Sequence, residues 1–481
     1  MTARNRLIGS VLLGIALTGT LAVPGAVGAA RHPARTVAPP SRTGIGDPYY
    51  PTDGNGGYDV RAYRIAVAYR PAGHRVAGRT TVAARATTRL TRFDLDLHRL
   101  TVTRVTVDGR RAAWRRAGAH ELVVTPARPV RRGATFSATV RYHGRLHSVD
   151  DGGAPSGFIA VGAAPGAGLL EGEPHGCATW FPCNDHPTDK ARYRLAITVP
   201  RPLAAVAVGV EGVTTSDRRH GVAVRTFRWR MPEPTSTYMV GWYVDRLTVE
   251  RSHLPSGVPV LSAYGPDAAA AMRREARLPE ILRVLARRWG PYPAPTAGGI
   301  FVDGPIPYEL ETYGRPVLST GTGLLTIVHE NGHQWWGDHI ALHRWKDICF
   351  NECLASYSEW IWREHRGTDL DRFYHRGVRR GGADLFAGRL FDMGAGHEFD
   401  APVYVKGAFF VHALRNKIGD ARFFRAMRTI QHRRGGGVLS MNGWRTALER
   451  LTGVDLTSFW HEWVLTTGRP SRANLFPGSL G

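Results

Sequence analysis

Eight consecutive residues and one later glutamate constrain this chain more than any other feature. Val328-His329-Glu330-Asn331-Gly332-His333-Gln334-Trp335 contains His-Glu-x-x-His, and Glu352 follows His333 after eighteen intervening residues. On a helix, positions four apart share a face, about 40° apart around the axis. His329 and His333 can therefore aim two imidazole nitrogens at one ion, while Glu330 faces the same cleft and stays free to act as a base. A second helix carrying Glu352 adds an oxygen. Two histidines and one glutamate, with a fourth position left for water, are the donors of a catalytic zinc ion and not of a structural one. The competing reading is an amphipathic helix holding two satisfied histidines, and Cys353, next to Glu352, is a rival ligand. The apolar turn Leu324-Leu325-Thr326-Ile327-Val328 ahead of the motif predicts a helix entering a core. Asn351 to Trp360 also has a helical pattern, and Glu359, seven residues after Glu352, falls on the same face two turns on. There it either orients a ligand histidine from behind or is a solvated charge. His339 and His343, beyond the motif, read as surface residues.

At 481 residues the chain is too long for one hydrophobic core, so two or three domains are expected. Its formal net charge is +23, carried almost wholly by arginine; the lysines are Lys190, Lys346, Lys406 and Lys417. Beside so many alanines and glycines, that skew reads as biased codon usage. The basic residues are scattered and form no tract, which argues against nucleic acid; loose adhesion to an anionic cell envelope fits the charge better. The N-terminus has the parts of a signal peptide over residues 1–30: Arg4 and Arg6, an apolar run from Leu7 to Val23, and small-residue cleavage sites at Val27-Gly28-Ala29 and Gly28-Ala29-Ala30. A secreted protein is expected; the alternative is an uncleaved signal anchor, because the apolar run is nearly long enough to span a bilayer. An exported chain can oxidise its four cysteines, which allow three connectivities. Cys177 and Cys183 close a short loop and are the preferred pair. Cys349 and Cys353, four apart on a predicted helix, are awkward to bridge.

Residues 31–46, rich in Arg, Pro, Ser and Thr, read as a linker. From Tyr58 the pattern alternates, and short β-rich runs such as Thr101 to Val107, Glu121 to Val124 and Ala138 to Tyr142 are separated by Gly, Pro and Asp. An all-β, sandwich-like domain over residues 47–240 is expected. Pro266 to Trp289 reads as a helix, and most of 324–470 as helices with short loops. The second domain is set at 241–470, with a tail at 471–481. No internal repeat and no phosphate-cradling loop is visible in the sequence.

With these residues in hand, the chain resembles the aminopeptidase N family of zinc metallopeptidases over about residues 46–470. His329-Glu330-x-x-His333 and Glu352 stand at the family's spacing, and Trp335-Trp336-Gly337-Asp338 and Trp345-Lys346-Asp347 are similar to its flanks. So are Phe181-Pro182-Cys183-Asn184-Asp185-His186-Pro187 with Lys190-Ala191, and, for small bacterial members, Gly46-Asp47-Pro48 through Val60. The resemblance implies an antiparallel β domain followed by a thermolysin-like, mostly helical catalytic domain, one Zn²⁺ per chain, and peptide substrates with a free N-terminus. Val403-Tyr404-Val405-Lys406-Gly407-Ala408 resembles the catalytic-tyrosine segment, so Tyr404 is expected to stabilise the oxyanion. Tyr308-Glu309-Leu310-Glu311-Thr312 stands where the family has Gly-x-Met-Glu-Asn, and Glu173-Pro174 lies eight residues before Phe181. Glu311 and Glu173 are therefore implied to bind the substrate's α-amine.

The departures are Tyr308 for Gly, Thr312 for Asn, a short gap from Glu311 to His329, and Cys353-Leu354 after the ligand glutamate. The chain also ends soon after Phe459-Trp460-His461-Glu462-Trp463, without the helical domain that covers the site in larger members, which implies a more open cleft. The expectation is a secreted zinc aminopeptidase with Glu330 as general base. Its rivals are a zinc endopeptidase, given the altered amine subsite, and a non-catalytic secreted zinc-binding protein.

Overall fold

The computed structural model describes residues 44–150 and 155–481. The leader expected at 1–30 and most of the expected linker lie outside the described residues. Among the described residues, no helix is long and apolar enough to cross a membrane.

The first half of the chain is strands, as its alternation requires. Tyr58–Arg70 turns Tyr63, Ile65, Val67 and Tyr69 inward, a period of two that fits one buried face. It sits inside a nine-stranded sheet, antiparallel to Arg75–Ala86 and parallel to Ala191–Pro200, with Ile65 opposite Leu195. Thr135–Arg145 and Thr101–Val107 continue that sheet. Asp108 and Gly109, both at positive φ, reverse the chain after Val107 so that Arg110 pairs back with it. A five-stranded sheet packs beside it and contains Gly168–Glu171, Ala204–Ala207 and Trp242–Asp245.

A four-stranded sheet of Thr248–His253, Pro259–Tyr264, Ile300–Val302 and Val317–Ser319 leads into the helices. The longer ones are α1 (Ala269–Glu275), α2 (Leu278–Trp289), α3 (Leu324–Gly332), α4 (Cys349–His365), α5 (Leu370–Gly381), α6 (Ala401–Ile418), α7 (Asp420–Arg434) and α8 (Met441–Thr452). The single helix expected from Pro266 to Trp289 is thus two. Pro279 falls in the first turn of α2, where its missing N–H costs nothing; further into a continuous helix it would leave a carbonyl unpaired and clash with the turn before.

Helix α4 is the spine of this half, buried from Cys349 to Trp362 except at Glu359. A helix apolar on every side must be surrounded, and α3 and α6 pack against it at glycines. A Cβ on Gly332 would stand 2.6 Å from Ser358 Oγ, and one on Gly407 would stand 2.5 Å from Cys353 Sγ. Buried Arg315 ties the halves together: it donates to the carbonyls of Leu261, Ala207 and Gly209 and stacks over Trp229.

Both cysteine pairs are bridged, Cys177 to Cys183 and Cys349 to Cys353. The second corrects the reading that i,i+4 cysteines on a helix are awkward to join. Cys349 opens α4 directly after the tight turn Trp345–Asp347, and Asn351 N–H still bonds three residues back to Ile348. The Cα atoms are thereby 4.8 Å apart, within bridging range.

Candidate active site

Helix α3 buries Ile327 and Val328 on its inner side and turns His329 and Glu330 toward one cavity of about 310 Å³. His333 caps α3 in helical geometry, its N–H on the His329 carbonyl, so the i,i+4 relation holds to the last residue. Across the cavity α4 supplies Glu352. Its Oε2 lies 3.2 Å from His329 Nε2 and 3.4 Å from His333 Nε2. The outer ring nitrogens are held from behind: His333 Nδ1 by the Trp336 carbonyl at 3.1 Å, and His329 Nδ1 by Glu359 Oε1 at 3.1 Å. Such partners fix which nitrogen carries the hydrogen and leave both Nε2 atoms facing inward.

Two imidazole nitrogens and a carboxylate oxygen within 4.8 Å of one another match the donor chemistry of a zinc ion. Cys353, the rival ligand, is spent in its disulfide. Charge tells the same story. Burial would raise the Glu352 carboxyl, but His333 and His329 outweigh it and hold it at about 2. Burial would lower His333, yet Glu352 and Glu311 lift it to about 9. Glu330 lies against the same cavity; burial, with Glu311 and Glu352 adding, pushes it up to about 8 against the pull of both imidazoles.

The other expected residues line the same space. Glu173 and Glu311 each bring a carboxylate oxygen within 4.8 Å of the other and of Glu352. Glu173 Oε1 is buried and accepts no hydrogen bond among the described residues. Tyr404, in the first turn of α6, lines the cavity with its ring 6.0 Å from that of His329. Burial and the surrounding glutamates raise its phenol well above its ordinary value, so it remains a donor.

The Peptidase M1 N-terminal domain matches residues 60–239, and the Peptidase family M1 domain matches residues 320–383. The M1 zinc metallopeptidase of Deinococcus radiodurans superposes with a TM-score of 0.80 at 29% identity, covering 89% of this chain and 98% of that one. The chain belongs to the M1 aminopeptidase N family. Zinc is the cofactor that this family and the Deinococcus structure indicate. A mutant form of the Deinococcus enzyme, bound to a Tyr-Ser-Ala substrate, matches equally well, at 29% identity. Aminopeptidase N of Lactococcus lactis subsp. cremoris (strain MG1363) is 23% identical over 330 residues, 62% of this chain and 38% of that protein. Human thyrotropin-releasing hormone-degrading ectoenzyme is 24% identical over 387 residues, 73% and 36% respectively. The M1 chain described here thus spans about two fifths of the length of the curated relatives it matches.

Several residues of this M1 site gave no sign of a role in the sequence. Tyr308, the departure from Gly, donates through its hydroxyl to the Glu173 carbonyl at 2.7 Å and so joins the two carboxylate-bearing loops. Tyr238 donates to Glu311 Oε1 at 3.2 Å, from the short turn Thr237–Met239, far away in sequence. Gln334 was legible only as a motif neighbour; it donates to the Glu311 carbonyl and accepts the Gly314 N–H, pinning that loop to the end of α3. Glu309 turns to the Ser319 and Thr322 hydroxyls. His339 and His343 are half-buried, not surface residues: the loop after α3 folds inward, the Tyr313 hydroxyl meets His339 Nδ1, and burial pushes that ring down to about 4.

Proposed function

We propose that this chain is an exported zinc aminopeptidase that removes the N-terminal residue of peptides. The observation that carries the reading is the convergence, in one cavity, of a His329–His333–Glu352 donor set with the Glu173–Glu311 pair. A zinc ion held by His329, His333 and Glu352 would supply Lewis acidity, polarising the scissile carbonyl and making a water more acidic. Glu330 accepts a proton from the attacking water and delivers it to the departing amine as the C–N bond breaks. Tyr404 donates a hydrogen bond to the oxygen that gains charge as water adds to the carbonyl. Glu173 and Glu311 bind the terminal ammonium, and their fixed distance from the donor set selects the first peptide bond. An open-ended substrate has no use for two carboxylates there, which favours an exopeptidase over an endopeptidase. Two disulfides support export, since such bonds persist in oxidising compartments.

The test is hydrolysis of aminoacyl anilides and their N-acetyl versions by the mature protein, before and after chelation and zinc return. Chelator-sensitive cleavage of free-amine substrates alone is expected. Equal cleavage of the blocked versions would mean an endopeptidase, and no cleavage despite stoichiometric zinc would leave only a binding protein.

A further inference from the structure

Six glutamates, Glu173, Glu309, Glu311, Glu330, Glu352 and Glu359, line the cavity, with no Lys or Arg among the described residues that do. In a chain of net charge +23 this is a strongly anionic enclosure. A divalent ion and a terminal ammonium answer Glu352, Glu330, Glu173 and Glu311, and Glu359 faces His329. Among the described residues Glu309 has no cationic partner; the Ser319 and Thr322 hydroxyls that reach it are neutral.

A seventh carboxylate, Glu171, lies two residues before Glu173, behind the residues that line the cavity. Glu171 ends the strand Gly168–Glu171, is 1% exposed, and neither of its oxygens accepts a hydrogen bond among the described residues. Burial raises its carboxyl well above the ordinary range, and Glu309 and Glu330 are near enough to add to that; Tyr308 feels its charge in turn. A buried carboxyl without a partner is costly to keep, so its retention suits a positive group that arrives from outside. The aromatic faces of Tyr308 and Phe399 line the same cavity and can cover the aliphatic stem of such a group while its charged end lies against carboxylates.

We propose that Glu309 and Glu171 make the pocket selective for substrates whose first residue carries a positive side chain, arginine or lysine. This rests on the aminopeptidase reading above and names the substrate class within it. Neither residue takes part in bond cleavage; both set which side chain is held while the terminal amine is bound.

The test uses the zinc-loaded protein with Arg, Lys, Leu, Phe and Ala anilides. The expected kcat/KM for Arg and Lys is about tenfold or more above that for the neutral residues, the scale on which a matched charge discriminates. Glu309→Gln and Glu171→Gln should each lower the Arg-to-Leu ratio about fivefold or more, mainly through KM for Arg. A wild-type preference for neutral residues would overturn the proposal, as would a ratio that survives both substitutions. The wild-type panel stands even if a variant misfolds. Inactivity on every free-amine substrate would instead sink the aminopeptidase reading; activity with neutral preference would sink only this one.

Discussion

Glu330 and Tyr404 face one cavity but carry different burdens, and kinetics can separate them. Glu330→Gln removes the proposed proton carrier without touching His329, His333 and Glu352, the proposed zinc donors. One zinc per chain should remain while kcat falls about 10²–10⁴-fold. Metal analysis beside steady-state rates checks this; a near-normal rate would dismiss Glu330 as the base. Tyr404→Phe keeps the ring against His329 and loses only the donor. It should lower kcat by about 10²–10³-fold with little change in KM, and an unchanged kcat would remove Tyr404 from the reaction. His329, Glu330 and His333 were legible together in the sequence because they lie within two turns of one helix, where spacing alone fixes direction. Tyr238 and Glu171 were not, because a short turn at Thr237–Met239 and a strand, both far away in sequence, bring them to the site and no local period marks them. Tyr308 was visible only as a departure, and its bond to the Glu173 carbonyl shows that the change joins the two loops.

At the scale of elements, the site depends on how closely three helices approach. Gly407 lies one turn beyond Tyr404 on α6 and meets α4 at Cys353, which its disulfide keeps from rotating away. Gly407→Ala inserts a methyl group 2.5 Å from that sulfur, so α6 must move off α4. A cost of about 1–3 kcal/mol is expected. Because the residues proposed to hold zinc ride on α3 and α4, zinc content should persist while kcat drops with the displaced Tyr404. Thermal unfolding, metal analysis and turnover together test this, and an unchanged melting temperature with full turnover would contradict it. Element type was readable wherever one face met a core: alternation gave Tyr58–Arg70, and the apolar turn before His329 gave α3. Breaks were harder to see. The division of Pro266–Trp289 turned on where Pro279 falls within its turn, and the Cys349–Cys353 bridge on a tightened first turn that periodicity does not reveal.

At the scale of the whole molecule, among the described residues, buried carboxylates gather in a second place besides the active site. Asp96, Glu121 and Asp185 are buried together near Asp53, with His120 and His175 beside them. Burial pushes Glu121 up to about 8, with Asp94 and Asp53 adding, and the Asn55 side chain offsets part of this. Burial, with Asp53 adding, raises Asp185 to about 7. A carboxyl whose folded value lies above its unfolded one binds more protons when folded. Its contribution is therefore present at low pH and lost as pH rises through the folded value. For Glu121 the window runs from its ordinary 4.5 up to about 8. Glu121→Gln keeps the shape and removes the charge, so the variant should melt about 2 °C or more above wild type at pH 8.5. That gap should close as the pH is lowered toward 5, where wild type carries the proton itself. Melting curves of both proteins across that range decide it. A gap that is constant with pH, or one that widens on acidification, would show that Glu121 is ionised in the folded chain at neutral pH and is held by its neighbours at no cost.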